Sequence, residues 1–535
     1  MGLLNEINDQ ERLYEEAKKD IEEVYFMNDL PWVIGYSGGK DSTCTTQIIV
    51  DTMIALKRAG KELKKHVYVI SSDTLVENPM IVATIHNTIE NINGLAKREG
   101  LPLSGHIIRP RMDNTFWVNL IGRGYPSPNQ TFRWCTDRMK INPANDFITS
   151  IVNQYGEAVM ILGVRDGESD SRDRVLKQHT IQGKKLMRHT TMANAYVFAP
   201  IRAFNVDDVW DYLLSHDSPW GSDNHELFDM YQDSSEDCPL IIDEETKKEH
   251  MCGNSRFGCW VCTVVVKDKS LTSFINKGQK WLLPLLEFRN WLYAIRDDDT
   301  MRMRRRNDGT LYFSRVQEKN GDIIIPAKGD KKQITVSFRD DRYVDNEGNE
   351  WKLFDDPQCE ITAKDYIAKN NVDLDNGSNP RILIKRMNDE YAQLGPGPFT
   401  FEARKTILKR LLELQKTVGD RIKLFLPEEL LEIRKVWYKL GFDYDMVNEL
   451  YHDVFHKDLE NLTKDDVTGY DEEDLKRMEE FCLEDNMDFS VVKDILELER
   501  RYSGYINRTE VNKELGKILS KENAQLLLGG NRDED

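Results

Sequence analysis

Two sets of residues in this 535-residue chain could do chemistry. The first is the hexapeptide Ser37, Gly38, Gly39, Lys40, Asp41, Ser42, which follows the apolar run PWVIGY at 31 to 36. Consecutive glycines let the backbone turn so that successive N–H groups point into one concavity, and a helix starting beside them adds its positive N-terminal end. Such a nest holds phosphate. Lys40 would set an ammonium against charge developing there, and Asp41 would orient Mg²⁺ or its waters. The spacing is not that of a Walker A loop, GxxxxGK followed by Ser or Thr, so a kinase-like or GTPase-like reading loses support.

The second set is a group of cysteines. Cys252, Cys259 and Cys262 stand in CGNSRFGCWVCT, a C-x6-C-x2-C spacing, and Cys135 stands in FRWCTDRMK, 117 residues before Cys252. A CxxC loop brings two thiolates within reach of one metal centre, and Gly253 and Gly258 permit the tight backbone approach. Four thiolates suit an iron–sulfur cluster or a structural zinc. The wide separation of Cys135 is unlike the paired CxxC of a zinc ribbon and favours iron and sulfur. Cys44, Cys238, Cys359 and Cys482 show no partner pattern and read as packing residues.

The elements that must position these groups alternate. Residues 5 to 29 read as an amphipathic helix, PWVIGY as a buried strand, and TCTTQIIVDTMIALKRAG as a helix with a basic last turn and a glycine stop. HVYVISSD at 66 to 73 and AVMILGVRD at 158 to 166 repeat the pattern of a short apolar strand running into a polar loop. Alternation of this kind predicts an α/β fold, a parallel sheet with helices on both faces and ligands at the carboxyl ends of its strands. We therefore expect a first domain over 1–300. Beyond it the texture changes: Asn320-Gly321 between β-rich runs signals a hairpin within a small β insert over 301–395, and FEARKTILKRLLELQ opens an acidic helical region over 396–535.

Composition bounds the partners. The net charge is −19. From Gly441 to Asp535 there are 26 acidic against 12 basic residues, so most of the excess is C-terminal. An acidic chain is a poor ligand for nucleic acid by itself, so any such contact must be local or shared with a partner. The stretch RMRRR at 302 to 306 is the expected backbone contact, and the acidic C-terminal helices are expected to dock a basic partner surface. No window is apolar enough to cross a bilayer and the N-terminus does not read as a secretory signal, so we expect a cytoplasmic protein without a membrane partner. Eight cysteines without an export signal point to metal or catalysis and away from a disulfide framework.

The SGGKDS loop resembles the PP-loop of ATP pyrophosphatases. Together with SSDTLVENP at 71 to 79, RWCTDRMKINP at 133 to 143, LGVRDGESDSR at 162 to 172 and the API and DDVWDYL blocks at 199 to 213, it makes the region from Pro31 to Arg289 similar to the phosphoadenylylsulfate (PAPS) reductase branch of that family. TFWVNLIGRGYP at 115 to 126, SPWG at 218 to 221 and CGNSRFGCWVCTVVVKDKS at 252 to 270 further resemble the DndC family, the sulfurtransferases of bacterial DNA phosphorothioation.

The resemblance implies cleavage of ATP to AMP and pyrophosphate, a four-cysteine 4Fe-4S cluster on Cys135, Cys252, Cys259 and Cys262, sulfur supplied by a cysteine desulfurase, and work on DNA beside the other Dnd proteins, DndD and DndE. It makes Ser37, Gly38, Gly39, Lys40, Asp41 and Ser42 the phosphate loop, puts Asp73 near the nucleotide, and lines the next strand end with Arg165, Glu168 and Arg172. Lys40, Asp41 and Arg165 are the expected catalytic groups, Arg165 through the bidentate phosphate geometry a guanidinium favours. Sulfonucleotide reduction, tRNA thiolation and a non-enzymatic nucleotide-binding scaffold are the rival readings. The first wants an activated C-terminal thiol, but the last cysteine here, Cys482, sits among acids. The second wants a basic RNA-binding module, and the third is at odds with an intact loop.

Overall fold

A computed structural model describes residues 2–167, 185–188, 194–234, 258–326, 333–460, 472–484, 488–501 and 515–519. Glu168, Arg172 and Cys252, three expected site residues, lie outside the described residues, as do Cys238 and parts of the acidic C-terminal region. The chain divides into two units, one of residues 1–116 and 128–290, the other of residues 117–127 and 291–535.

The first unit is an α/β layer structure. Strands β1 (Trp32–Gly35), β2 (Val67–Ser72), β3 (Leu103–Ile108), β4 (Ala158–Ile161), β5 (Met187–Arg188) and β6 (Ala195–Phe198) form one sheet in the order β3-β2-β1-β4-β6-β5. All pairings are parallel except the short antiparallel β5 on β6. The central strands are continuous apolar runs because both faces are covered. Helices α1 (Gly2–Met27), α2 (Lys40–Arg58) and α3 (Pro79–Glu99) lie on one face, where Ile48, Ile85 and Ile92 join Trp32, Ile34 and Val69 in the core. Helix α4 (Asn142–Tyr155) covers the other, with Ile148 and Ile151 against Val33, Ile70 and Ala158. The chain runs outward from β1 through β2 to β3, then returns to lay β4 on the far side of β1. The carboxyl end of β1 is thus the point where strand order reverses, which is where open sheets of this kind bind ligands.

The second unit holds strands β7 (Phe313–Arg315), β8 (Gln317–Lys319), β9 (Asp322–Ile325), β10 (Ile334–Arg339), β11 (Arg342–Asp345), β12 (Glu350–Phe354), β13 (Ile382–Lys385) and β14 (Tyr391–Leu394) in the order β7-β14-β13-β12-β11-β10-β9-β8. The expected hairpin is there, with Asn320 and Gly321 both at positive φ between β8 and β9. The outermost strands β7 and β8 are parted only by Val316, whose amide donates to Tyr391 O at 2.9 Å. Both outermost strands therefore belong to one stretch of chain, residues 313 to 319, which pairs with β14 through its first half and with β9 through its second. Helices Phe401–Val418, Pro427–Lys439 and Met446–Phe455 follow.

Residues 117–127 are threaded among those helices. Trp117 Nε1 donates to Leu424 O at 2.7 Å, Trp437 Nε1 to Ile121 O at 3.0 Å, and the buried Arg404 gives Nη1 to Gly122 O at 2.8 Å. The arginines of the basic stretch at 302 to 306 are largely engaged within their own unit, Arg302 and Arg304 being buried, Arg305 half-buried and Arg306 exposed, which leaves less of the stretch for DNA than its charge suggests. Arg302 donates to Gly397 O and Arg296 O, Arg304 is buried and pairs with Asp299, Arg305 grips Asp375 through two contacts at 2.6 and 2.7 Å, and the Arg306 guanidinium lies over the Tyr312 ring. Guanidiniums spent on carbonyls and carboxylates of their own fold have little left for phosphate. No helix among the described residues is long and apolar enough to cross a membrane.

Candidate active site

The expected phosphate loop, Ser37 to Ser42, joins β1 to α2. Gly38 has φ +73°, a left-handed value that suits glycine, and Gly39 caps α2 in an extended conformation. The turn is tied by its serines: Ser37 N–H donates to Ser42 Oγ at 3.2 Å, the two hydroxyls meet at 3.0 Å, and Ser42 Oγ donates to Gly39 O at 2.9 Å. Thr43 N–H closes the first helical turn on Gly39 O at 2.9 Å. These bonds hold the amides in a concave array at the head of a 19-residue helix.

Three charges meet beside the array. Asp41 receives Lys40 Nζ on Oδ2 at 3.2 Å and Arg165 Nε on Oδ1 at 2.6 Å. Arg165 comes from the loop after β4 and is buried, as is Lys40. The approach of that loop depends on Gly163, where a Cβ would stand 2.7 Å from Asp41 O and 2.9 Å from Thr45 Oγ1. A carboxylate between two cations neutralises one of them. Phosphate oxygens entering the nest would compete for both, and Asp41 would then be released to a divalent cation.

Tyr231, on the helix Asn224–Ser234, completes the loop's surroundings and was not legible in the sequence. Its hydroxyl accepts the Lys40 N–H at 3.2 Å, and its ring lies 5.3 Å from the Lys40 ammonium. An amide of the nest is therefore already satisfied from within. No local pattern announces a residue 191 positions away.

Asp73 follows β2 and is built into its own network. It accepts Leu75 N–H at 3.0 Å and Arg109 Nε at 3.0 Å, with His86 Nε2 at 3.5 Å from the same carboxylate. Leu75 has φ +65°, so the aspartate stabilises a strained turn. The structure thus gives Asp73 a capping and ion-pairing role alongside its place at the strand end.

The cysteines sit on the loop that β2 leads into. Glu77 bridges Cys259 as a short antiparallel pair, Asn78 N–H donates to Gly258 O at 3.3 Å and Trp260 N–H to Val76 O at 3.0 Å. Cys262 N–H returns to Cys259 O at 2.9 Å, forming the tight CxxC turn. Cys135 stands on the helical turn Trp134–Thr136, close enough to Cys262 to feel its charge. Burial, reinforced by Cys262, pushes the Cys135 thiol up, and burial together with Glu77 does the same to Cys259. Thr74 Oγ1 donates to Glu77 Oε1 at 3.0 Å and stands 3.4 Å from Cys259 Sγ, a geometry that suits a protonated thiol donating to the hydroxyl. Lys140 Nζ pairs with Glu77 at 3.2 Å in the same group.

Among the described residues no three His, Cys, Asp or Glu side chains converge closely enough to hold a metal ion. The donor chemistry nevertheless fits a thiophilic centre. Three cysteines gather here, and burial penalises the thiolates of Cys135 and Cys259, a penalty that a bound cation reverses.

Residues 31–265 match the family model of the phosphoadenosine phosphosulfate reductase domain. This stretch is similar to that domain, and its described residues have the α/β fold of the PP-loop type. An uncharacterized protein of Methanocaldococcus jannaschii is 27% identical over 261 residues, which are 48% of this chain and 42% of that protein. The chain thus spans less than half the length of the curated relative it matches. Among known structures, the phosphoadenylyl-sulfate reductase of Candida auris in its phosphate complex aligns over 41% of this chain and 90% of its own, at 13% identity and a TM-score of 0.25. The U34-tRNA thiolase NcsA of Methanococcus maripaludis, with its 4Fe-4S cluster, aligns over 45% and 75%, at 12% identity and a TM-score of 0.25.

Proposed function

We propose that this protein is an ATP pyrophosphatase and sulfurtransferase that activates a DNA backbone phosphate for replacement of a non-bridging oxygen by sulfur. The observation that carries this reading is the placement of both reactive groups in one unit and at one sheet edge. The phosphate nest follows β1, and the loop that pairs with Cys259 follows the neighbouring β2.

In the reaction, a non-bridging phosphate oxygen of DNA attacks the α-phosphorus of ATP and the bond to the β-phosphate breaks. Pyrophosphate leaves and AMP is joined to the DNA phosphate. A sulfur nucleophile at the oxidation level of sulfide then attacks the DNA phosphorus, and AMP departs with the oxygen. The nest amides and Lys40 take the charge that grows on pyrophosphate, while Arg165 turns from Asp41 to the phosphates. Asp41 would hold Mg²⁺ or its waters once those cations are drawn away, and the ion would supply further charge neutralisation. Cys135, Cys259 and Cys262, with Cys252 as fourth thiolate, would hold a 4Fe-4S cluster that supplies a centre able to carry sulfur or electrons. A cysteine desulfurase is the sulfur source, delivering a persulfide whose outer sulfur a thiol reductant releases as sulfide while a disulfide forms, and the other Dnd proteins are the working partners.

Sulfonucleotide reduction loses further ground because Cys482 is buried on the helix Glu472–Glu484, where an attacking thiol must be exposed. The test is anaerobic incubation of the full chain with ATP, Mg²⁺, DNA and sulfide, followed by measurement of pyrophosphate and of phosphorothioate in digested DNA. DNA-dependent pyrophosphate with sulfur in the backbone is expected. Pyrophosphate that depends on tRNA in place of DNA, with thiolated bases, would overturn the DNA assignment.

A further inference from the structure

The engagement of Arg302, Arg304 and Arg305 within their own unit leaves open which surface of an acidic chain meets DNA. We propose that the rim of the cysteine group is that surface, with Arg133, Lys267 and Lys269 on the phosphates of a DNA strand and Phe132, Ile141 and Val266 against its sugars or bases. The inference rests on the proposed function and gives its substrate a place.

Charge carries the first part of the argument. The two stretches that frame the cysteines, 129 to 142 and 263 to 269, contain Arg133, Arg138, Lys140, Lys267 and Lys269 against only Asp137 and Asp268. That local excess of cations stands in a chain of net charge −19. One of the two carboxylates, Asp268, is turned to its own helix, accepting Leu271 N–H at 2.8 Å. Arg133, Lys267 and Lys269 are exposed. Lysine and arginine at a surface that otherwise repels polyanions concentrate phosphate contact there.

Exposed apolar side chains carry the second part. Phe132 is 43% exposed, Ile141 45%, Val265 43% and Val266 66%, all flanking Cys135 or Cys262 in sequence. An exposed aromatic beside cations is the pairing that single strands use, the ring for stacking and the cations for backbone. The frame is rigid. The fully buried Arg289 donates to the carbonyls of Cys262 at 2.8 Å and Val266 at 2.7 Å and also to that of Val265, which leaves the two valines presented outward. Thr263 Oγ1 donates to Pro128 O at 2.7 Å, fastening this loop to the stretch that carries Phe132 and Arg133. A strand lying here would pass over the sulfurs, which is where an activated phosphate has to be for sulfur to reach it.

The test uses the full chain and a short fluorescent DNA, measuring Kd across a salt series for wild type, for Arg133→Ala/Lys267→Ala/Lys269→Ala and for Lys267→Arg/Lys269→Arg. ATP affinity is measured alongside as the control for folding. The triple variant is expected to bind DNA about 10- to 100-fold more weakly, with the log–log salt slope reduced by about 2, while the arginine variant keeps both. Unchanged Kd and slope in the triple variant would overturn the surface and leave the sulfurtransferase reading intact. A wild type that cleaves ATP but binds no DNA overturns both. A triple variant that keeps DNA and loses the cysteine desulfurase assigns the rim to the protein partner and also overturns the proposal.

Discussion

The phosphate loop is made of six contiguous residues, tied by the bonds of Ser37 and Ser42 and aimed by the helix that begins at Lys40. The cysteine group is built from Thr74 to Asn78, Cys135 to Lys140 and Cys259 to Cys262, three stretches that meet only when β2, the turn after Arg133 and the CxxC loop are in place. A local site needs only its own backbone to be correct, whereas a dispersed one inherits every error of the fold around it. Damage to the loop should therefore abolish one function cleanly, and damage to the cysteine group should be partial and coupled to stability.

The sharpest break is Lys40→Ala, expected to cut DNA-dependent pyrophosphate release by about 100-fold or more while leaving the iron content of anaerobically purified protein unchanged. Loss of iron in that variant would show that the two sites are not separable. Cys135→Ser is the converse: iron and acid-labile sulfide should fall well below wild type while ATP affinity is retained, as measured by metal analysis and nucleotide titration. Stoichiometric zinc without sulfide in the wild type would make the cysteine group structural and break the comparison at its other end.

Gly163→Ala tests where the loop stops being local. The new Cβ would stand 2.7 Å from backbone Asp41 O, so the loop after β4 and the start of α2 must part. A destabilisation of about 1 to 3 kcal/mol in denaturant melts is expected, with weakened ATP binding because Arg165 is displaced with its loop. Tyr231→Phe should have the smallest effect. Removing the hydroxyl frees the Lys40 amide for phosphate, and ATP Kd should fall about 2- to 5-fold by titration, within the range of one neutral hydrogen bond. A weaker Kd would mean that Tyr231 holds the nucleotide and does not stand in for it.

In the cysteine group the pH dependence has a definite sign. Burial raises the Cys135 thiol above its ordinary value, so in metal-free protein its alkylation should be slower than that of a free thiol near pH 8 and should accelerate as pH rises further.

Much of the first unit was legible because its signals are short-range. The apolar runs of β1 and β2, the glycine turn and the basic end of α2 each report on a few neighbouring residues, and in the second unit the Asn320-Gly321 hairpin likewise follows from two residues at positive φ. Strand β3 went unread since Leu103–Ile108 puts Ser104, Gly105 and His106 in its middle and lacks the continuous apolar character of its neighbours. At 302 to 306 the charge is visible in the sequence but its partners are not. Asp299, Asp375 and the carbonyls of Arg296 and Gly397 lie up to 95 residues away.

By itself, the sequence determined the groups on offer: a Gly-Gly turn with Lys40 and Asp41 after a buried strand, cysteines in a CxxC spacing, and an α/β order that sends loops to one sheet edge. Only the tertiary structure decided how that chemistry is gated and framed. Tyr231 on the Lys40 amide, Arg165 on Asp41, and Lys140 with Glu77 beside the thiols are contacts between residues far apart in the chain. Hydrogen bonds and ion pairs act over a few ångströms, and which groups come that close is set by how sheet, helices and loops fold together.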